Sequence, residues 1–219
     1  MRPALVSVVM AFSGCALLSK GELGTRRFYS LDEVGSLERA KVDATGAELR
    51  LGRVTAGACG SELMMVRQSP FEIVFDDERR WSERPEVSLR RALSRELFEK
   101  LGLRSVVRGG GPVLEVELLD FEEVRGPPHV GRVTVAWSLS DERVVSMQQT
   151  LRVERAIVPS AREGDAVAEA IGAAMREAVE AMGERVRAEL TRLAATPAGE
   201  GPRSLSRIEA PRAPVPSVP

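Results

Sequence analysis

The sequence predicts an α+β fold: a mostly antiparallel sheet, an amphipathic helix after the first strands, and a long C-terminal helix packed on the sheet. Three observations carry this. Short runs of alternating charged and apolar residues recur across the first half and the middle of the chain. A stripe of Leu89, Leu93, Leu97 and Leu101 repeats every four residues. A third segment, Glu163 to Ala195, is rich in alanine and keeps its apolar residues at helical spacing.

The elements follow in order. Arg27 to Leu31 reads as a first strand, and Glu48 to Val54 alternates charged and apolar residues as a second. Glu62 to Gln68 and Phe71 to Phe75 are two more short strands, separated by Ser69-Pro70. A helix opens after Trp81, where Ser82 suits a cap, Pro85 a first turn, and Glu83 and Glu86 the positive end of the helix dipole. Gly102 is its natural stop. Leu114, Val116 and Leu118 alternate with Glu115 and Glu117, then the phase slips at Leu119-Asp120-Phe121, which predicts a bulge. Val133, Val135, Trp137 and Leu139 share one face of the next strand. After a turn at Ser140 to Arg143, the alternation resumes from Val145 to Val153. Such short connections imply antiparallel pairing. Pro159 to Glu163 resembles a capping box for the last helix.

The first fifteen residues have a different logic. Arg2 gives a positive start, Ala4 to Phe12 a mostly apolar run, and Ser13-Gly14-Cys15 a small-residue site ending in cysteine. This is the layout of a bacterial secretory signal cleaved before a lipid-modified cysteine, although Phe12 stands where such sites usually carry leucine. The run is too short to span a bilayer, which takes about 20 apolar residues. The chain therefore divides into a signal peptide (1–14), a lipidated tether (15–26) attached through Cys15, a domain (27–195) and a disordered tail (196–219). Six of the 13 prolines fall in that tail. Ala16 after the cysteine favours forwarding to the outer membrane, facing the periplasm.

Composition narrows the function. Net charge is −1 and the aromatics amount to two Trp, one Tyr and six Phe, so neither a basic field nor a stacking surface points to nucleic acid. With Cys15 acylated, Cys59 has no partner for a disulfide and reads as a small buried apolar residue. The single histidine, His129, follows Gly126-Pro127-Pro128 and reads as hairpin decoration; no G-x-S-x-G elbow accompanies it, and metal ligation needs more. Gly109-Gly110-Gly111 lacks the lysine of a phosphate loop. The acidic runs Asp76-Asp77-Glu78, Glu115 with Glu117, and Glu122-Glu123 are expected on solvated faces and turns. The parts of an enzyme are missing, and no metal or organic cofactor is expected beyond the acyl lipid on Cys15.

With these elements placed, the chain resembles the ABC-type transport auxiliary lipoprotein family, the PqiC-like intermembrane-transport lipoproteins. Cys15 is followed by Phe28-Tyr29-Ser30-Leu31, similar to the family's aromatic-Tyr-x-Leu strand. Glu48 to Val54 matches the strand opening its globular part. Glu62 to Arg67 and Phe71 to Trp81 match two strands followed by a tryptophan that opens a helix. Leu114 to Phe121 and Val133 to Leu139 match two later strands. Thr55 to Cys59 stands where the family often has a proline-rich link.

The resemblance implies a non-catalytic periplasmic component of a lipid-transport system. Its implied partners are an Mce-domain protein, a permease and an ATPase, with the membrane engaged through the lipid anchor and no nucleic acid. It also admits a homo-oligomer in which the long helix meets another copy. Tyr29, Leu31 and Trp81 either line the core or form a partner-contact patch. The alternative reading is a structural envelope lipoprotein assisting an outer-membrane assembly.

Overall fold

A computed structural model describes residues 25–31, 46–141 and 144–195; Cys15, the tether up to residue 24 and the tail from residue 196 lie outside the described residues. The strands are β1 (Arg27–Tyr29), β2 (Glu48–Ala56), β3 (Leu63–Ser69), β4 (Glu72–Trp81), β5 (Arg104–Ser105), β6 (Val113–Val124), β7 (Val130–Asp141) and β8 (Val144–Ala156). The helices are α1 (Pro85–Ser94), continued by a π-helical stretch at Arg95–Lys100, and α2 (Glu163–Ala195). The α+β class and both helices agree with the sequence reading.

The sheet is mixed: its longest ladders are antiparallel, as read, and its shorter ones are parallel. β6 is its axis. One edge of β6 pairs antiparallel with β7, which pairs antiparallel with β8. The other edge is shared: β2 runs parallel to the first half of β6, and β3 runs parallel to its last residues. A short 3-10 turn at Ala58–Gly60 links β2 to β3, so the chain follows β6 twice in the same direction. Residues 55–59 thus complete a strand and enter a tight turn that sets β2 and β3 one after the other along β6, while the short turns joining β6, β7 and β8 give antiparallel pairs, as read. β4 returns antiparallel to β3, and β1 adds parallel to the far end of β4. The bulge read from Leu119 to Phe121 is present as a register shift between Leu118 and Asp120, and it separates the β2-paired half of β6 from the β3-paired half.

Both helices cover one face of this sheet. Leu89 and Leu93 of α1, Leu97 of the π-helical stretch, and Val167, Ile171, Ala178, Met182 and Val186 of α2 join Leu49, Leu114, Leu118, Val133, Val135, Trp137 and Leu139 of the sheet in one hydrophobic cluster. Burial of side chains of this size contributes about 1.5–3 kcal/mol each. The close approach of α2 to β7 requires Gly131, where an added Cβ would sit 2.8 Å from the backbone nitrogen of Ile171. Trp81 packs against Phe121 with ring centroids 5.0 Å apart.

The helix signals need one correction. Ser82 does not cap α1; the N-cap is Arg84, which makes no side-chain cap bond. Glu83 instead accepts hydrogen bonds from Ser88 and Arg91 across the first turns. Gly102 ends the helix as read, with φ 67°.

Candidate functional site

The sequence-predicted contact residues divide between core and surface. Trp81, at the end of β4, is 2% exposed and belongs to the core. Tyr29 and Leu31 are half-buried and pack against that core from the edge. Both side chains lie against glycines of α2: a Cβ at Gly164 would fall 2.0 Å from the Tyr29 hydroxyl, and one at Gly172 would fall 3.6 Å from Leu31 Cδ2. Trp81 and Tyr29 are register partners across β4 and β1. The three residues therefore form one junction where β1 meets β4 and α2, with Tyr29 and Leu31 on its accessible side.

A second constellation was missed in the sequence. Glu122 and Glu123, read as solvated, are both 0% exposed. On the outer face of the sheet Arg67, Glu122, Arg132 and Glu154 form a charge ladder across β3, β6, β7 and β8. Arg67 Nε donates to Glu122 Oε1 at 2.8 Å, Arg132 reaches the same oxygen at 3.2 Å, and Arg132 Nε donates to Glu154 at 2.7 Å. On the helix side, Glu123 Oε2 accepts from Arg79 at 2.8 Å, and its Oε1 accepts from Arg125 Nε and meets His129 Nε2, both at 2.9 Å. Arg79 is held in turn by Asp76 at 2.7 Å. Asp76 also accepts the backbone N–H groups of Glu78 and Arg79, which shapes the irregular stretch of β4.

The electrostatics make this a clamp rather than an acid/base pair. Burial alone would raise the Glu123 carboxyl, but hydrogen bonds from Arg125 and His129 and the charge of Arg79 outweigh it and hold the group below the ordinary carboxylate range. A carboxylate so stabilised is a poor base and is not a proton donor at neutral pH. His129 does decorate the hairpin, as read, and its side chain is 36% exposed, but it also anchors Glu123. Arg67 and Arg132 pair with Glu122, and Arg79 and Arg125 with Glu123; apart from Arg125 they come from other strands, so no local pattern marked the two glutamates as buried.

The remaining surfaces are simple. A shallow depression of about 240 Å³ on the outer sheet face is lined by Arg53, Thr55, Glu115, Glu117 and Gln148, among others. Its polar walls do not suit an acyl chain. Among the described residues, no group of three or more His, Cys, Asp or Glu is placed to hold a metal. No helix among them is long and apolar enough to cross a membrane. Among the described residues the β3–β4 hairpin carries a run of exposed apolar side chains, where Phe71 is 99% exposed and Ile73, Val74 and Phe75 follow it.

Among the described residues a mixed sheet, two covering helices and a paired-charge clamp of buried glutamates and arginines make up one α+β domain. The model of the ABC-type transport auxiliary lipoprotein component matches residues 29–187, and the chain belongs to that family. The match begins at Tyr29, so the junction with α2 lies inside it. Three solved structures share the fold. A protein from Xanthomonas campestris is 18% identical, covers 78% of this chain and 100% of its own, and superposes with a TM-score of 0.64. An uncharacterized protein is 13% identical over 74% of this chain and 99% of its own, with a TM-score of 0.59. A hypothetical protein from Chlamydia trachomatis is 11% identical over 67% and 99%, with a TM-score of 0.50. None of the curated proteins matches the sequence.

Proposed function

We propose that this chain is a non-catalytic, membrane-anchored adaptor of an ABC/Mce-type lipid-transport system. It is attached through acylated Cys15, at the periplasmic side of the outer membrane. The observation that carries the reading is the pairing of an auxiliary-lipoprotein domain at 29–187 with a lipoprotein-type signal ending at Cys15. Anchoring works through effective concentration: a weak contact with a permease or Mce-domain protein becomes productive when both partners share a thin layer. One acyl chain binds a membrane only marginally, whereas two or more make attachment lasting. Tyr29 and Leu31, at the root of the tether, are placed to relay that confinement to a partner, with Trp81 holding them from beneath.

The test combines two measurements. Mass spectrometry of the mature N-terminal peptide should find Cys15 acylated, and Cys15→Ser should leave the protein soluble in the periplasm or unprocessed. Crosslinking in intact membranes should then recover an Mce-domain protein or its permease. An unmodified N-terminus overturns the anchor. Recovery of an outer-membrane assembly protein alone overturns the transport role and favours the structural alternative.

A further inference from the structure

Four elements end at one pole of the sheet. Arg67, near the end of β3, lies opposite Val124 at the end of β6, and the Arg125 N–H donates to the Arg67 carbonyl at 2.9 Å. Val130, which opens β7, pairs with Ala156, which ends β8, and the Ile157 N–H donates to the His129 carbonyl at 3.1 Å. The β3–β4 turn at Pro70-Phe71 lies beyond Arg67 on the same side, and Val158 follows Ile157 on the way to α2. Phe71 is 99% exposed and Val158 is 71% exposed. Phe71 with Ile73, Val74 and Phe75 behind it makes the β3–β4 hairpin a run of four exposed apolar side chains, and such a cluster marks a contact.

The direction of β1 says which contact. β1 runs parallel to β4, with Arg27 beside Arg79. The first residue of β1 therefore lies toward the side on which β4 itself begins, the side of Phe71. From Glu72 to Arg79 β4 advances by about 20 Å at ordinary strand rise. The stretch from Cys15 to Arg27 reaches at most about 40 Å. The tether is long enough to let the hairpin turn rest on the surface that holds Cys15.

We propose that Phe71, at the tip of the β3–β4 hairpin, seats this pole on the lipid surface to which Cys15 is attached. The apolar residues behind the tip lie on both faces of β4: Ile73 and Phe75 alternate with Val74. A protein groove would cover one face, whereas a headgroup layer surrounds the tip. Glu72, next to Phe71, keeps the insertion shallow. Seating the hairpin converts attachment at a single point into a fixed orientation, with the opposite pole of the sheet turned away from the membrane.

The proposal takes its direction from the reading of Cys15 as the anchor, and the experiment separates the two. Acylated protein carrying F71W is reconstituted into vesicles of phosphatidylethanolamine and phosphatidylglycerol, with and without brominated acyl chains. Trp81 and Trp137 are buried, so they give a constant background. The fluorescence added by F71W should shift to the blue on vesicles and be quenched by bromine. In the mature chain carrying C15S, adding F71S should weaken vesicle partitioning roughly tenfold. Emission that stays water-like on vesicle-bound, acylated protein overturns the proposal and leaves the anchor standing. A blue shift without vesicles, accompanied by a doubled mass, gives the tip to a second copy and also overturns it. Bromine quenching in natively matured protein whose Cys15 is found by mass spectrometry to carry no acyl group upholds the tip and removes the anchor.

Discussion

The phenol of Tyr29 occupies the space that a side chain at residue 164 would need: a Cβ on Gly164 would lie 2.0 Å from its hydroxyl. β1 is only three residues long, and its backbone bonds with β4 are few, so this side-chain contact is much of what holds it. Gly164→Ala should displace the ring and cost about 1–3 kcal/mol, the usual range for forced overpacking. Urea denaturation measures the loss, and hydrogen exchange at the Ser82 amide, which donates to the Tyr29 carbonyl at 2.8 Å, reports whether β1 has detached. Gly172→Ala is the control. Its Cβ would meet Leu31 at an ordinary 3.6 Å, so helix propensity should leave it neutral or stabilised by up to about 1 kcal/mol.

Glu123 is the one anion shared by Arg79, Arg125 and His129. Replacing it by glutamine leaves Arg79, itself nearly buried, facing a neutral group. Breaking a buried pair on one side costs about 3–5 kcal/mol when the remaining charge is left alone; because Asp76 still faces Arg79, Glu123→Gln should fall at the lower end of that range. Glu154→Gln, at the exposed end of the other ladder, should cost less than about 1 kcal/mol. Equal losses for the two variants in chemical denaturation would refute the clamp.

Acid should unlock the same clamp. Glu123 and Asp76 both titrate below their ordinary values of 4.5 and 3.8. For Asp76, as for Glu123, burial pushes upward and is outweighed, here by hydrogen bonds from the Arg79 side chain and from the backbone of Arg79 and Glu78. A carboxyl depressed in the folded state binds fewer protons there than in the unfolded chain. Its contribution is therefore complete above the ordinary value and is lost as pH falls through the folded one. Stability should be flat with respect to these two groups above about pH 5 and drop below about pH 4. In the Glu123→Gln and Asp76→Asn double variant that drop should be shallower, as thermal melts across the acid range will register.

The sequence carried the elements well where periodicity was long. The Leu89 to Leu101 stripe, the alanine-rich α2 and the phase slip at Leu119 each match the structure because each pattern exists within one segment. Pairing direction was less legible. Whether β2 and β3 run parallel or antiparallel to β6 depends on where the 3-10 turn at Ala58–Gly60 sends the chain, and no local pattern encodes that. Glu122-Glu123 looked solvated because charge normally is; their burial follows from arginines brought in from β3, β4 and β7. Tyr29 and Leu31 were legible as a motif, but the glycine notches that receive them lie more than 130 residues further on.

Cys59 offers the last test, because its chemistry separates a structural thiol from a reactive one and also reads the anchor. It is buried, its Sγ donates to the Leu118 carbonyl at 3.1 Å, and burial pushes its pKa up to about 11. At pH 8 roughly one molecule in a thousand would carry the thiolate that reacts. Native mature protein should therefore resist a disulfide-exchange reagent at that pH and release a thiol only as it unfolds. Guanidinium chloride should expose one titratable thiol per chain when Cys15 is acylated, and two when it is free. Rapid reaction of the native protein would contradict the buried placement of Cys59, whereas a second thiol in the unfolded chain would strip the domain of its proposed membrane attachment.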